Sequence, residues 1–203
     1  MTLLLLNKED IEIIDENFPD ITKYNKLQIE SCVNLKSITL LPNIEKIFIS
    51  NCPNLQLLIN NLDYIKIIKL INCYNLKILP SKLTSLKYLE LHDSFIKKIP
   101  KTYTNLETLI IKYNKNKKHQ IKELPIFNNL ITLILENCNQ LKKLPDELPK
   151  INKIHIISCI HIEEFPDSYI TIKDSYLSYS INNLLIKSIK LKSEENYDDY
   201  EDD

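Results

Sequence analysis

Apolar positions recur along this chain in one phrase: apolar-x-x-apolar-x-apolar-x-x-(Cys/Ser/Asn). It reads LETLIIKYN at 106–114, LITLILENC at 130–138 and INKIHIISC at 151–159. The closing slot is Cys32, Cys52, Cys73, Ser94, Asn114, Cys138, Cys159 and Ser180, with gaps of 20, 21, 21, 20, 24, 21 and 21 residues. At the centre of each phrase two apolar residues flank a variable one, as in Leu27/Ile29, Ile47/Ile49, Ile68/Leu70 and Leu89/Leu91. Leu109/Ile111, Leu133/Leu135 and Ile154/Ile156 continue the series. A period of two predicts a short strand with one face buried. Its recurrence at a fixed longer period predicts a solenoid, in which each turn covers its apolar edge only against its neighbours. Stacked turns of this kind build a parallel sheet of about eight strands.

After the closing slot a further apolar residue is expected to turn inward: Leu35, Leu55, Leu76, Ile96, Ile121, Leu141 or Ile162. Then come Leu79-Pro80, Ile99-Pro100, Leu124-Pro125, Leu144-Pro145 and Phe165-Pro166. Proline fixes φ and has no N–H to donate, which predicts an extended or turn-like return path. Only about eight residues remain before the next strand, too few for a helix of ordinary length. Both ends depart from the phrase, as the caps of a solenoid do. Asn7 is placed to cap a helix from about Lys8 to Asn17 with Ile11, Ile14 and Phe18 on one face. Ser175 stands where a core Leu is expected, and residues 181–192 (INNLLIKSIKLK) read as closing strands whose Lys187, Lys190 and Lys192 blunt an open edge.

The phrase resembles the leucine-rich repeat, and on residues 24–180 the chain is identified as a member of that superfamily. The resemblance implies a right-handed solenoid of the α/β horseshoe class. It would have a parallel sheet on the concave face, an extended or 3-10 convex side, about eight repeats and a short N-terminal capping helix. The division is then an N-terminal cap at 1–23, the array at 24–180, a C-terminal cap at 181–193 and an acidic disordered tail at 194–203. In this family the closing slot points inward and bonds to backbone of neighbouring turns. A thiol, hydroxyl or amide can all serve there. The short repeats look like those of bacterial effectors, and the Leu-Pro wording like those of plant resistance proteins. The ubiquitin-ligase and nucleotide-binding domains that accompany those arrays do not carry over to this sequence. Nor does a ubiquitin-ligase adaptor role find its N-terminal box in the 23 residues before the first phrase.

Composition removes whole classes of chemistry. The chain has no Gly, Ala, Arg or Trp in 203 residues. The missing Gly, Ala and Arg are written in GC-rich codons, which points to an AT-rich genome. Without Gly there is no phosphate-cradling loop, and without Arg no bidentate fork or arginine finger. This composition resembles repeat proteins of large AT-rich DNA viruses of protists or insects (mimivirus- or entomopoxvirus-like). The five cysteines all fall in the repeat slot and none forms a CxxC pair, so reduced thiols in a cytoplasmic protein are expected. The start, MTLLLLNKED, has neither the basic stretch of a signal peptide nor the length of a membrane span. Net charge is −1, but residues 194–203 (EENYDDYEDD) carry seven acids and no base, leaving the first 193 residues at +6. Such a run is usually solvated.

Candidate chemistry is sparse. His92 and His155 fall three strands apart, roughly 14 Å and too far to share a metal. Cys159 and His161 make a poor ligand pair, because the first faces the core. Neither a catalytic residue, a metal site nor a cofactor is expected. The concave columns are the better candidate: Phe48, Ile67, Lys69, Tyr88, Glu90, Ile110, Tyr113, Ile134, His155, Ile157 and Tyr176. Exposed apolar patches tend to mark partner sites, and Tyr is enriched in interface hot spots. The alternative is AT-driven isoleucine on a β-favouring surface. The fifth repeat is stretched by KNKKHQ, where Lys115, Lys117, Lys118 and His119 form a possible anion-contact loop. The expectation is a monomeric, non-enzymatic protein-binding module, with no nucleic acid or membrane among its partners. A structural spacer is the alternative.

Overall fold

The structure is a computed structural model that describes residues 3–7, 10–39, 43–59, 64–114, 121–169, 172 and 174–177. Among the described residues twelve strands run in chain order: β1 Leu3–Leu6, β2 Ile13–Ile14, β3 Lys26–Glu30, β4 Ser37–Thr39, β5 Lys46–Ser50, β6 Leu57–Ile59, β7 Ile67–Ile71, β8 Tyr88–His92, β9 Thr108–Lys112, β10 Thr132–Glu136, β11 Lys153–Ile157 and β12 Asp174–Leu177. Nine of them form one parallel sheet in the order β1-β3-β5-β7-β8-β9-β10-β11-β12. The other three, β2-β4-β6, form a small parallel sheet on the return side. The chain is therefore a parallel-strand solenoid, with almost no helix among the described residues.

Each five-residue strand from β5 to β11 alternates half-buried and buried positions. The buried pair is the apolar pair of the phrase, from Leu27/Ile29 to Ile154/Ile156, at 0–1% exposure throughout. The inward residues Leu35, Leu55, Leu76, Ile96, Ile121, Leu141 and Ile162 close the core from the return side at 3% exposure or less. All belong to one continuous apolar cluster running along the stack. Each turn thus buries itself on the next, and no turn has a core of its own.

Left-handed backbone explains the corner after six strands of the large sheet. Ser31, Asn51, Asn72, Asp93, Asn137 and Ser158 all take φ between 48° and 56°. Glycine would be the default in this region, but the chain has none. Asn, Asp and Ser take its place, the first two because their short polar side chains tolerate αL best.

The N-terminal expectation fails. No helix occupies residues 10–17: Ile13–Ile14 is a strand paired to β4, and Ile14 is fully buried. Upstream, Leu3–Leu6 pairs with Lys26–Ile29 as a ninth strand of the large sheet. The chain before residue 24 is one more turn of the solenoid, so the sheet exceeds the eight strands expected. The remaining helix-like pieces are 3-10 turns at Ile21–Lys23 and Asp167–Tyr169, in keeping with an extended or 3-10 return side. Ser175 sits at the core register opposite Ile154 and is exposed, so the apolar column ends there. The C-terminal cap at 181–193 and the acidic tail lie outside the described residues.

Candidate functional site

Strand pairing lays the half-buried positions of the large sheet into columns. The central column is Gln28, Phe48, Lys69, Glu90, Ile110, Ile134, His155 and Tyr176, each the register partner of the next. Ile67 and Tyr88 stand beside it in one column, with His92, Lys112, Glu136 and Ile157 in the other. Ten of the eleven expected face residues therefore share one surface. It divides into three zones.

The first zone is a polar and aromatic cluster centred on Glu90. Its carboxylate lies 2.9 Å from Lys69 Nζ, accepts from the Tyr88 hydroxyl at 2.5 Å and sits 2.9 Å from His92 Nε2. Lys69 also stands 5.1 Å over the Tyr88 ring and 5.7 Å from the Phe48 ring, while Lys26 covers Phe48 at 4.5 Å. Burial alone would raise the Glu90 carboxyl, but Tyr88 and Lys69 outweigh it and hold the group below its usual range. Burial raises the Tyr88 hydroxyl and lowers the His92 imidazole, while the bond to Glu90 raises Lys69. Glu90 is thus an ionised acceptor already occupied by its neighbours.

The third zone closes the other end. Asp174 lies 3.0 Å from both His155 Nε2 and Lys153 Nζ, and the His155 hydrogen bond, then Lys153, lowers its carboxyl. The Tyr176 ring sits 6.0 Å from His155, edge-on, with 57% of the residue exposed. Between these polar ends lies the second zone, Ile110 beside Ile134, flanked by Thr108 and Thr132 on one side and by the Lys112–Glu136 pair at 3.5 Å on the other. The apolar surface of these two isoleucines is what remains open to a partner.

Tyr113 is a correction. It is 3% exposed and points into the core, not onto the face. Its backbone N–H still donates to Glu136 O at 2.9 Å, as the corner residues of other turns donate to their neighbours. However, Tyr113 is absent from the left-handed set, because a bulky side chain tolerates αL poorly. The phase of the chain shifts by one residue, so the tyrosine ring fills the slot and Asn114 is pushed outside. Asn114 is exposed and bonds back to Asp93, its N–H at 2.8 Å from Asp93 Oδ1 and its side-chain amide on Oδ2. It is not an inward ladder member. The Ile121 N–H then donates to Tyr113 Oη at 3.2 Å, which closes the stretched repeat. The expected anion-contact residues Lys115, Lys117, Lys118 and His119 lie outside the described residues, as does Ser180.

The rest of the ladder is inward, and its members bond to backbone both within their own turn and in the neighbouring one. Cys32, Cys52, Cys73, Ser94, Cys138 and Cys159 are all at 0–1% exposure. Most thiols donate within their own turn, Cys52 to Ser50 O at 3.3 Å, Cys73 to Ile71 O at 3.6 Å and Cys159 to Ile157 O at 3.5 Å. Bonds to the neighbouring turn are made by Cys32 to Leu6 O at 3.8 Å, by Cys138 to Ile111 O at 3.7 Å, and by the Cys138 N–H, which donates to Cys159 Sγ at 3.3 Å. Ser94 Oγ finds no acceptor among the described residues. Burial pushes the Cys52 thiol up to about 11 and the Cys73 thiol up to about 12. Contact with Cys159 and burial raise Cys138 too. The bond from Cys138 works the other way on Cys159 and lowers its thiol, which is nevertheless buried at 0% exposure. Cys52, Cys73 and Cys138 are packing groups, held away from the thiolate a nucleophile needs.

Lys26 and Asp174 complete the two polar zones and were not among the residues singled out from sequence. Both sit in the column of Ile67 and Tyr88, so the register of the phrase would have found them. No protein-family model matches the chain, and no curated protein matches it. No helix among the described residues is long and apolar enough to cross a membrane.

Proposed function

We propose that the chain is a leucine-rich-repeat-type interaction module that binds a protein partner through the open, concave side of its large sheet. The observation that carries this reading is the Ile110–Ile134 pair, in register and half-exposed at the centre of the face. The self-paired polar zones on either side would form a rim. Apolar centres ringed by polar contacts are the usual anatomy of protein interfaces. On this reading Tyr88 and Tyr176 are the aromatic anchors, and Phe48, Ile67, Lys69, His155 and Ile157 line the periphery. The module acts without catalysis and needs no cofactor. Its AT-rich composition supports a viral effector engaging a host protein in the cytoplasm.

A spacer role without a selective ligand is the second reading, favoured by one observation. Glu90 and Asp174 already have their partners within the chain, so those zones offer a ligand few free groups. Affinity capture from host-cell lysate, with the wild type against Ile110→Asp/Ile134→Asp, separates the two. A protein retained by the wild type and lost with the folded double variant supports the interaction reading. Identical retained sets overturn it in favour of the spacer.

A further inference from the structure

The return side carries a second surface, independent of the open face. A groove of about 770 Å³ runs across three successive turns, with Ile78, Leu79, Ile99, Pro100, Leu124 and Pro125 as its apolar lining. Ile78 is 77% exposed at its edge, the most exposed of the large apolar residues described. Around it stand Lys77, Lys97, Lys98 and Lys101, with Glu123 as the single acid.

The lysines are what set this groove apart. Three lysines elsewhere on the return side face acids in the adjacent turn: Lys36 with Glu12 at 2.7 Å, Lys142 with Glu163 at 3.2 Å and Lys143 with Glu164 at 3.6 Å. In the groove only Lys98 is paired, with Glu123 at 2.9 Å. Lys77 and Lys97 stack in adjacent turns, joined by the Lys97 N–H to Lys77 O bond at 3.4 Å. Neither they nor Lys101 has an acidic partner among the described residues. Like charges stacked one strand spacing apart repel each other and call for an acidic neighbour.

We infer that this groove is the docking site of the chain's own acidic segment, residues 194–203 (EENYDDYEDD). The chemistry matches on two counts. Seven acids and no base meet the unpaired lysines, and Tyr197 and Tyr200 supply rings for the Ile78/Pro100/Pro125 lining. The reach is sufficient. Residue 194 lies 17 residues beyond Leu177, a span of up to roughly 55 Å when extended. The axial distance from β12 back to β8, whose turn leads into the groove, is four strand spacings, or about 19 Å. That leaves ample chain to cross from the sheet to the return side. The open face, with its own pairs already made, offers the acids fewer unpaired cations.

The test places a nitroxide on Asp203→Cys in the full chain; the five native thiols are buried and escape labelling. Methyl signals of Ile78, Ile99 and Ile134 are then compared in the paramagnetic and reduced states. A several-fold loss of Ile78 and Ile99 intensity is expected, with Ile134 on the opposite side unaffected. The loss should vanish in Lys97→Glu/Lys101→Glu and in ~0.5 M salt, where screening acts within a few ångströms. Unchanged Ile134 shifts show that the charge-reversed chain is folded. Undiminished Ile78 and Ile99 signals in the wild type overturn the proposal, as does broadening that falls equally on Ile134. Broadening that disappears when labelled chains are diluted into unlabelled ones places the segment on a second copy and overturns docking within one chain.

Discussion

The first three return turns and the five that follow them stack behind one continuous large sheet, yet they solve the return path differently. In the first three, Ile14, Ile38 and Leu58 are followed by Asp15, Thr39 and Ile59, and the segments pair as β2-β4-β6. In the later turns, Leu79, Ile99, Leu124, Leu144 and Phe165 are each followed by proline. Among the described residues no return strand forms there, apart from an isolated bridge between Lys143 and Glu164. Proline has no N–H for a ladder, so the second sheet stops where the prolines begin. What holds the later turns instead is partly side chain to backbone. Buried Tyr103 donates its hydroxyl to Pro80 O of the preceding turn at 2.6 Å, and Tyr169 does the same to Pro145 O. Proline thus ends the strand pairing of the return side, and at Pro80 and Pro145 its carbonyl takes a tyrosine bond from the next turn instead. It also opens the groove beside Ile78.

Tyr103→Ala is the strongest way to break this contrast. It should cost about 3–5 kcal/mol, as for other large buried aromatics, read from the urea midpoint. Tyr103→Phe isolates the hydroxyl and should cost about 1–3 kcal/mol, because Pro80 O is left buried without a donor. A neutral Tyr103→Phe would remove the bond from the account. Next in size is the corner shared by both regions. Ser158→Val forces a β-branched residue into αL and should cost about 1–2 kcal/mol, whereas Ser158→Gly should cost little. Equal costs would show that the corner is set by something other than φ.

Moving the proline signature sharpens the comparison further. Ile59→Pro should release the β4–β6 pairing, with faster amide exchange over Ser37–Thr39 and a loss of about 1 kcal/mol, one net hydrogen bond. Pro80→Ile should be tolerated and slow exchange across residues 78–80. The smallest effect is a pH dependence on the open face. Because the folded Glu90 carboxyl titrates below its usual value, its contribution is present above that value and lost as pH falls through the folded one. The thermal stability gap between the wild type and Glu90→Gln should therefore be constant near neutrality and shrink below about pH 4. A gap that widens on acidification would reverse the sign assigned to Glu90.

The strands of the large sheet were legible because their code is local: two apolar residues, one position apart, at a fixed period. Leu27/Ile29 through Ile154/Ile156 fall inward as read. Leu3–Leu6 escaped because four consecutive leucines carry no alternation, and Ile11, Ile14 and Phe18 mimic a helical face. In the solenoid Ile14 is instead the buried half of a two-residue strand. The small sheet escaped because the absence of proline is a weak signal until the turns are stacked. Tyr113 and Asn114 were exchanged because the phrase fixes spacing but not backbone handedness. Only the missing left-handed residue betrays the shift. Of the face, the central column was readable from the phrase, but its pairings were not. The phrase places Lys26 and Asp174 in their column, but Lys26 over Phe48 and Asp174 beside His155 depend on side-chain directions that spacing does not fix.

The most direct test of the interaction reading is hydroxyl-radical footprinting of the chain alone and in complex with a captured partner, since it reads side-chain exposure residue by residue. Ile110, Ile134, Tyr88 and Tyr176 should become protected, while Tyr64 and Ile126, both exposed away from the face columns, keep their reactivity. Unchanged reactivity at Ile110 and Ile134, with protection confined to the return side, would contradict it.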